Sequence, residues 1–307
     1  MKTIFNVRFT PLFLVLLLVM MMIMPISSLA AQPTVNLGTT STFAVLAGTT
    51  ITNTGPTTIS GSSPEGGGNV GLHPGTAFPG QADVTMTGWT AYLSDPDGVA
   101  LQAKNDLVVA YLDAAGRTPT TTFTATDNQL GGQTLTTGVY AFGHASTANL
   151  IGTLTLDAEG NEEAVFIFQA SSDLITASGS KIILINGAKY CRVFWQVTSS
   201  ATLGTGSTFV GHIFALTSIA ATTGATVEGQ LLARNGEVTL DHNTITNGIC
   251  EITPGPTPTP GPTPTPTPTT TGGGIPKTAT PWYNVLLAGA ALTLVGAVGW
   301  RNRKCYE

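Results

Sequence analysis

Thr208-Phe209-Val210-Gly211-His212-Ile213-Phe214-Ala215 lines up, position for position, with Thr226-Val227-Glu228-Gly229-Gln230-Leu231-Leu232-Ala233, 18 residues further on. Trp195, Ile213 and Leu231 share the same spacing. A fixed period of this kind marks a chain whose repeats stack on one another. One period has room for three short strands and their turns, which predicts a three-sided β-solenoid with sheet hydrogen bonds running between coils. Three faces follow from the register. The first carries 194–197, 212–216 and 230–234. The second carries 173–176, 201–204, 218–221 and 237–240, and the third 182–185, 208–211 and 226–229. On the second face Leu174, Leu203, Ile219 and Val238 are expected to stack inward. Asp173, Ile175, Thr202, Gly204, Ser218, Ala220, Glu237 and Thr239 then face outward.

Upstream the same texture continues. Phe43–Ala47, Thr153–Leu156, Val165–Phe168, Ile182–Ile185 and Val193–Val197 are short β-branched or apolar runs divided by Gly, Asn and Ser, as strands bounded by turns are. One segment differs. After Pro96-Asp97-Gly98, the residues Leu101, Leu107, Val108, Tyr111, Leu112 and Ala115 recur near helical spacing, and Gly116 follows. This predicts an amphipathic helix over 97–115 lying along one side of the solenoid. The fold class is therefore mainly β, with one long α-helix packed alongside.

Composition narrows the function classes. Only 9% of the 307 residues are charged, against about 25% in an average soluble domain. Residues 31–278 hold 7 Lys and Arg and 16 Asp and Glu, a formal charge of 7 − 16 = −9. Nucleic-acid binding needs clustered cations, and this body has none.

The two ends send the body out of the cell. Residues 1–30 read as a secretory signal: Lys2 and Arg8, an apolar run from Leu12 to Ile23, Pro25, then Ser28-Leu29-Ala30. Residues 253–274 are a Pro/Thr repeat ending in Gly272-Gly273-Gly274, an extended stalk that cannot join a sheet ladder. Ile275-Pro276-Lys277-Thr278-Ala279 follows, then an apolar span over 282–300 and a basic tail over 301–307. This end resembles a sortase sorting signal of the Gram-positive type, which implies cleavage between Thr278 and Ala279 and attachment to the envelope. It departs from the Leu-Pro-x-Thr-Gly pattern at Ile275 and Ala279. The alternative is a retained single-pass membrane anchor. Either way the body is extracellular and anchored to the cell wall or membrane. Cys191 and Cys250 are the two thiols outside, and an oxidising exterior lets them join across about 60 residues, for about 4 kcal/mol of loop entropy. The alternative is two buried free thiols.

No catalytic or metal-binding arrangement emerges. Gly66-Gly67-Gly68-Asn69-Val70-Gly71 matches a dinucleotide fingerprint in letters, but Leu72-His73-Pro74-Gly75 follows and reads as a turn rather than a helix. His73, His144, His212 and His242 are scattered; stacking could let His212 and His242 approach each other, but a metal site needs a third ligand. Glu159, Glu162 and Glu163 read as a solvated acidic loop. Asp173 and Glu237 share a face about three coils apart, too far for paired carboxylates. No cofactor, no metal and no enzymatic activity are expected.

Several longer motifs carry a family resemblance. They are Asn36-Leu37-Gly38, Phe43-Ala44-Val45-Leu46-Ala47-Gly48, Thr50-Ile51-Thr52-Asn53-Thr54-Gly55, Gly152-Thr153-Leu154-Thr155-Leu156-Asp157 and Ala164-Val165-Phe166-Ile167-Phe168-Gln169. The block Cys191-Arg192-Val193-Phe194-Trp195-Gln196-Val197, running on to Val238-Thr239-Leu240-Asp241, is the most specific. In this order, over residues 35–250, they resemble the ice-binding-like β-solenoid family of bacteria and fungi. The resemblance implies a discontinuous three-sided solenoid beside a long helix, and adsorption to ice through a flat, rigid, fairly apolar face. Rigidity keeps the ordering cost of such binding low. Carried onto this chain, the second face supplies Thr202, Ser218, Ala220 and Thr239, with Thr50 and Thr52 inserting beside them from the N-terminal strand. The partner is then an ice surface. The charges of Asp173 and Glu237 in the outward columns keep open an adhesin or structural spacer that contacts an environmental surface or glycan instead.

Overall fold

The computed structural model describes residues 32–62, 67–124, 128–143, 146–248 and 250. The expected signal peptide, stalk, pentapeptide with Thr278 and Ala279, apolar span and basic tail lie outside these residues, as do His144 and Gly66. Among the described residues no helix is long and apolar enough to cross a membrane.

The chain is mainly β, with parallel sheets and one α-helix, Val99–Gly116. Strand pairing falls into three ladders. The first stacks Thr121–Phe123, Gly138–Phe142, Phe166–Ala170, Val193–Val197, 212–215, 230–233, Phe43–Ala47, Asn69–Leu72 and Ala91–Tyr92. The second is a six-stranded sheet in the order Ala148–Leu150, Leu174–Thr176, Ala201–Leu203, Ile219–Ala221, Val238–Asp241, Ile51–Thr54. The third stacks Thr134–Leu135, Thr153–Asp157, Lys181–Ile185, 208–211, 226–229, Thr244–Asn247, Thr57–Gly61 and Val84–Met86. The strands Thr208–Ala215 and Thr226–Ala233 belong to two ladders at once, their first halves to the third and their second halves to the first. Where they bend, Gly211 and Gly229 are paired at φ 108° and 143°, conformations that L side chains rarely adopt.

The stacking order is not the chain order. The N-terminal strands pair with the last C-terminal ones: Val45 with Leu231, Thr52 with Thr239, Ile59 with Ile245. Buried amides fasten this joint. Asn247 Nδ2 donates to the carbonyls of Ser41 and Gly67, both at 2.9 Å, and Gln230 Nε2 to that of Thr40 at 2.8 Å. Cys191 and Cys250 are joined by a disulfide with a Cα–Cα distance of 5.7 Å. Inside, Tyr140, Phe168 and Trp195 stack ring on ring, and Ile213, Leu231 and Val45 continue the same row. Trp195 meets its indole donor requirement by bonding to Val210 O at 3.0 Å.

The helix covers the outward residues of the first ladder. Ala100, Ala103, Leu107, Ala110, Tyr111 and Ala114 pack on Val139, Ile167, Phe194, Phe214, Leu232 and Leu46. This corrects the face read from spacing. Leu101 and Leu112 are exposed, because small alanines are what allow the helix to lie close on a sheet of aromatic and branched side chains. The helix starts at Val99, directly after Pro96-Asp97-Gly98 as the sequence suggests. Asp95 accepts from the backbone N–H groups of Ala100 and Leu101 at 2.8 and 2.7 Å, satisfying orphan donors of the first turn. On the buried side Lys104 donates to Ala233 O at 2.6 Å and to Arg234 O, and burial, with Arg234 nearby, pushes its pKa down to about 7.

Candidate functional site

The second ladder is the six-stranded sheet on which the sequence-derived face was drawn. Its strands run parallel at about 4.8 Å spacing, so each register position forms a column. One inward column is Ala148, Leu174, Ala201, Ile219, Val238 and Ile51, and the next is Leu150, Thr176, Leu203, Ala221, Leu240 and Asn53. Leu203 therefore points inward but stacks with Ala221, not with Leu174 and Ile219. From Leu174 to its partner Ala201 is 27 residues, from Ala201 to Ile219 18, and from Ile219 to Val238 19. A uniform period cannot track turns of unequal length.

Between these columns lies the outward one: Asn149, Ile175, Thr202, Ala220, Thr239 and Thr52. It brings together four of the sequence-derived residues, with Thr52 directly opposite Thr239. Asn149 was not foreseen, since only its 26-residue offset from Ile175 identifies it. No ionisable group stands in this column, and apart from Asn149 and Ile175 its members are small.

The flanking residues are arranged differently. Asp173, Ser200, Ser218 and Glu237 precede the inward residues Leu174, Ala201, Ile219 and Val238. Asp173 Oδ1 accepts from Ser200 N at 3.1 Å, Ser200 Oγ from Ser218 N at 3.3 Å, and Ser218 Oγ from Glu237 N at 3.2 Å. Ser218 thus accepts with its hydroxyl from the backbone beside the next strand. The same is true of the Asp173 carboxylate, which is turned along the stack. Asp173 and Glu237 stand three strand spacings apart, about 14 Å, well beyond any carboxylate pair used in glycoside hydrolysis. Thr50 sits at the end of this row, its carbonyl accepting from Val238 N at 3.0 Å, and bridges to Ala77. Ile51 N and Asn53 N donate in turn to Ala77 O and Pro79 O, so the face extends one row past Thr52.

On the opposite margin stand Thr222, Asp241 and Thr54. The Thr223 hydroxyl and then His242 hold the Asp241 carboxyl below its usual range. Thr205 and Thr222 hydroxyls meet at 3.3 Å.

The other histidines make no joint site. His212, itself in the first ladder, is buried between Tyr190 and Phe194, and burial pushes its pKa down to about 4. His242 lies on an exposed turn, bonded to Asp241, so the two do not meet as the stacked coils suggested. Among the described residues no three His, Cys, Asp or Glu side chains are placed to hold a metal. A cavity of about 510 Å³ beside the disulfide is lined by Tyr190, Arg192, His212 and Asn247, with no carboxylate among the described residues of its lining.

The geometry can be set beside known proteins. The sequence model of the ice-binding-like family matches residues 45–246, about two thirds of the chain. An ice-binding protein of Nostoc sp. (strain HG1) is 46% identical over 212 residues, 69% of this chain and 73% of that protein. One from Colwellia sp. is 35% identical over 71% of this chain and 85% of its own length. Among solved structures, an ice-binding protein from an Antarctic biological consortium superposes with a TM-score of 0.63 at 40% identity, covering 70% of this chain and 92% of that one. The ice-binding protein of the Antarctic ascomycete Antarctomyces psychrotrophicus gives 0.63 at 38%, covering 70% and 98%.

Proposed function

The chain belongs to the ice-binding-like family, and from that premise we propose that it binds ice, adsorbing through the outward column of its six-stranded sheet. Thr52, Thr202, Ala220 and Thr239 form the centre of the contact, with Asn149 and Ile175 extending it and Thr50 at its border. The observation that carries this reading is the unbroken, uncharged register Thr202–Ala220–Thr239–Thr52 on a sheet the helix leaves open. Hydroxyls and methyls repeating at strand spacing hold water in an ordered array. A stacked core of Ile51, Val238, Ile219 and Ala201 beneath fixes them before ice arrives, so little ordering is left to be done on binding. Ser218 serves this face by tying adjacent coils rather than by touching ice.

The three ladders, with two strands shared between them, support a three-sided solenoid coil as the frame. The reaction is adsorption without chemistry on a substrate. The sequence pattern of the ends supports export and display: a cleaved signal over 1–30, a stalk over 253–274, and anchoring through 282–300 or through sortase processing at Thr278-Ala279. Thermal hysteresis of the 31–252 body tests the face. Thr239→Tyr, a bulky side chain in the middle of the array, is expected to reduce the freezing-point gap severalfold with an unchanged circular dichroism spectrum. Unaltered hysteresis in Thr239→Tyr and Thr52→Tyr together contradicts the assignment of this face.

A further inference from the structure

The third ladder carries a longer threonine row than the second. Lys181, Thr208, Thr226, Thr244, Thr58 and Thr85 share one register position, and Thr153 precedes them opposite Lys181. The five threonines from Thr208 to Thr85 are consecutive in the stack and all exposed. Four of them stand on buried apolar neighbours, Phe209, Val227, Ile245 and Ile59, and Thr85 on the half-buried Met86. Beside this row Thr246 and Ser60 face each other with their hydroxyls 3.2 Å apart.

The helix covers the first ladder only, so this face is open. It is also continuous with the proposed ice face. The turns between the two ladders carry the Thr205–Thr222 hydroxyl contact, and the short segment from Thr54 to Thr58 leads from one face to the other. Two charged residues belong to this face. Lys181 stands between Thr153 and Thr208, before the five threonines begin, and Glu228, exposed in the neighbouring column between Val210 and Thr246, borders a crevice lined by Leu184, Tyr190 and the disulfide.

We propose that this second threonine face also adsorbs to ice, so that the molecule engages ice on two adjoining faces. The inference rests on the ice-binding reading above. The occupant follows from what the row contains. A protein or glycan partner is held by aromatic and arginine anchors in pockets, and this row offers neither. It offers a flat grid of hydroxyls and methyls at strand spacing, about 4.8 Å, fixed by a close-packed core, which is suited to ordered water. Two faces meeting at an edge would let one molecule sit at a step or engage two sets of crystal planes.

The test uses the 31–252 body, which stands alone, since matched solved relatives are almost wholly covered by the corresponding part of this chain. Fluorescent-protein fusions of the wild type, Thr226→Tyr, Thr239→Tyr and the double variant are bound to a single-crystal ice hemisphere, and the stained planes are recorded. Circular dichroism checks each fold, and Thr244→Tyr replaces Thr226→Tyr if that variant does not fold. The expected result is that each single variant stains ice but loses a different part of the wild-type pattern, while the double variant stains nothing. Wild-type staining by both Thr226→Tyr and Thr244→Tyr, or complete loss of staining in Thr239→Tyr alone, overturns the second face while leaving ice binding intact. A folded wild type that stains no plane overturns the ice-binding reading itself, and the second face with it.

Discussion

Replacing Cys191 and Cys250 together by serine is expected to cost the body about 4 kcal/mol of stability. The two residues are 59 apart in sequence, and closing a loop of that length removes chain entropy from the unfolded state worth about 4 kcal/mol at 25 °C. The bridge is also placed where the stack has a joint. Cys191 lies in the turn Tyr190–Arg192 that leads into Val193–Val197, and Cys250 follows the last strand, Thr244–Asn247. That last strand is sandwiched between 226–229 and the N-terminal strand Thr57–Gly61. Without the bridge, the segment from Thr244 to Cys250 is held by one strand's pairing and by Asn247, which weakens the surface on which the N-terminal strands dock. For a body of this size 1 kcal/mol corresponds to about 2–4 °C, so the melting midpoint should fall by about 8–16 °C. Calorimetry of the wild type and the double serine variant at neutral pH measures this, and reductant added to the wild type should reproduce it. A midpoint lowered by less than about 3 °C, under 2 kcal/mol on the same scale, would refute the argument that the bridge holds the joint.

Three further outcomes follow from named contacts. Gly229→Ala places a Cβ against the Gly211 carbonyl at φ 143°; unfolding in guanidinium should show a loss of about 3 kcal/mol, and an unchanged midpoint contradicts the tight bend. Leu231→Ala, fully buried between Ile213 and Val45, should cost about 3 kcal/mol in the same assay, whereas a cost below about 1 kcal/mol would mean that the row closes over the gap. Lys104 has a folded pKa near 7 against 10.5 for the free side chain. Between those values the unfolded chain binds a proton the folded one does not, so stability should rise with pH above 7, by at most about 1.4 kcal/mol per unit. Urea midpoints at pH 7 and pH 9 should show the rise in the wild type and not in Lys104→Met; equal slopes in the two contradict it.

Much of this architecture is written in the sequence because stacking forces repetition. Trp195, Ile213 and Leu231 are one row of the core, and their even spacing reveals the parallel stacking. The same logic places Thr202, Ala220 and Thr239 in one outward column. It fails where turns change length: the 27 residues from Leu174 to Ala201 displaced Leu203 by one column, and the 26 from Asn149 to Ile175 hid Asn149. It also fails for side chains whose partners are backbone. Nothing in the letters of Ser218 or Asp173 tells that each caps the N–H group of the next coil. The helix was legible in extent and not in facing, because the buried stripe is alanine and hydropathy favours Leu101 and Leu112. The threonine row of the third ladder stayed hidden for a different reason. Two of its five members, Thr58 and Thr85, join Thr208, Thr226 and Thr244 only through the out-of-order stacking of the N-terminal strands.

Ice-affinity partitioning of the 31–252 body tests the central claim most directly. A slowly growing ice hemisphere is fed a solution of the body and a non-binding protein of similar size. Enrichment of the body in the ice fraction, with the control left in the liquid, is the predicted result. A body that is folded by circular dichroism and is rejected by the ice to the same extent as the control would contradict it.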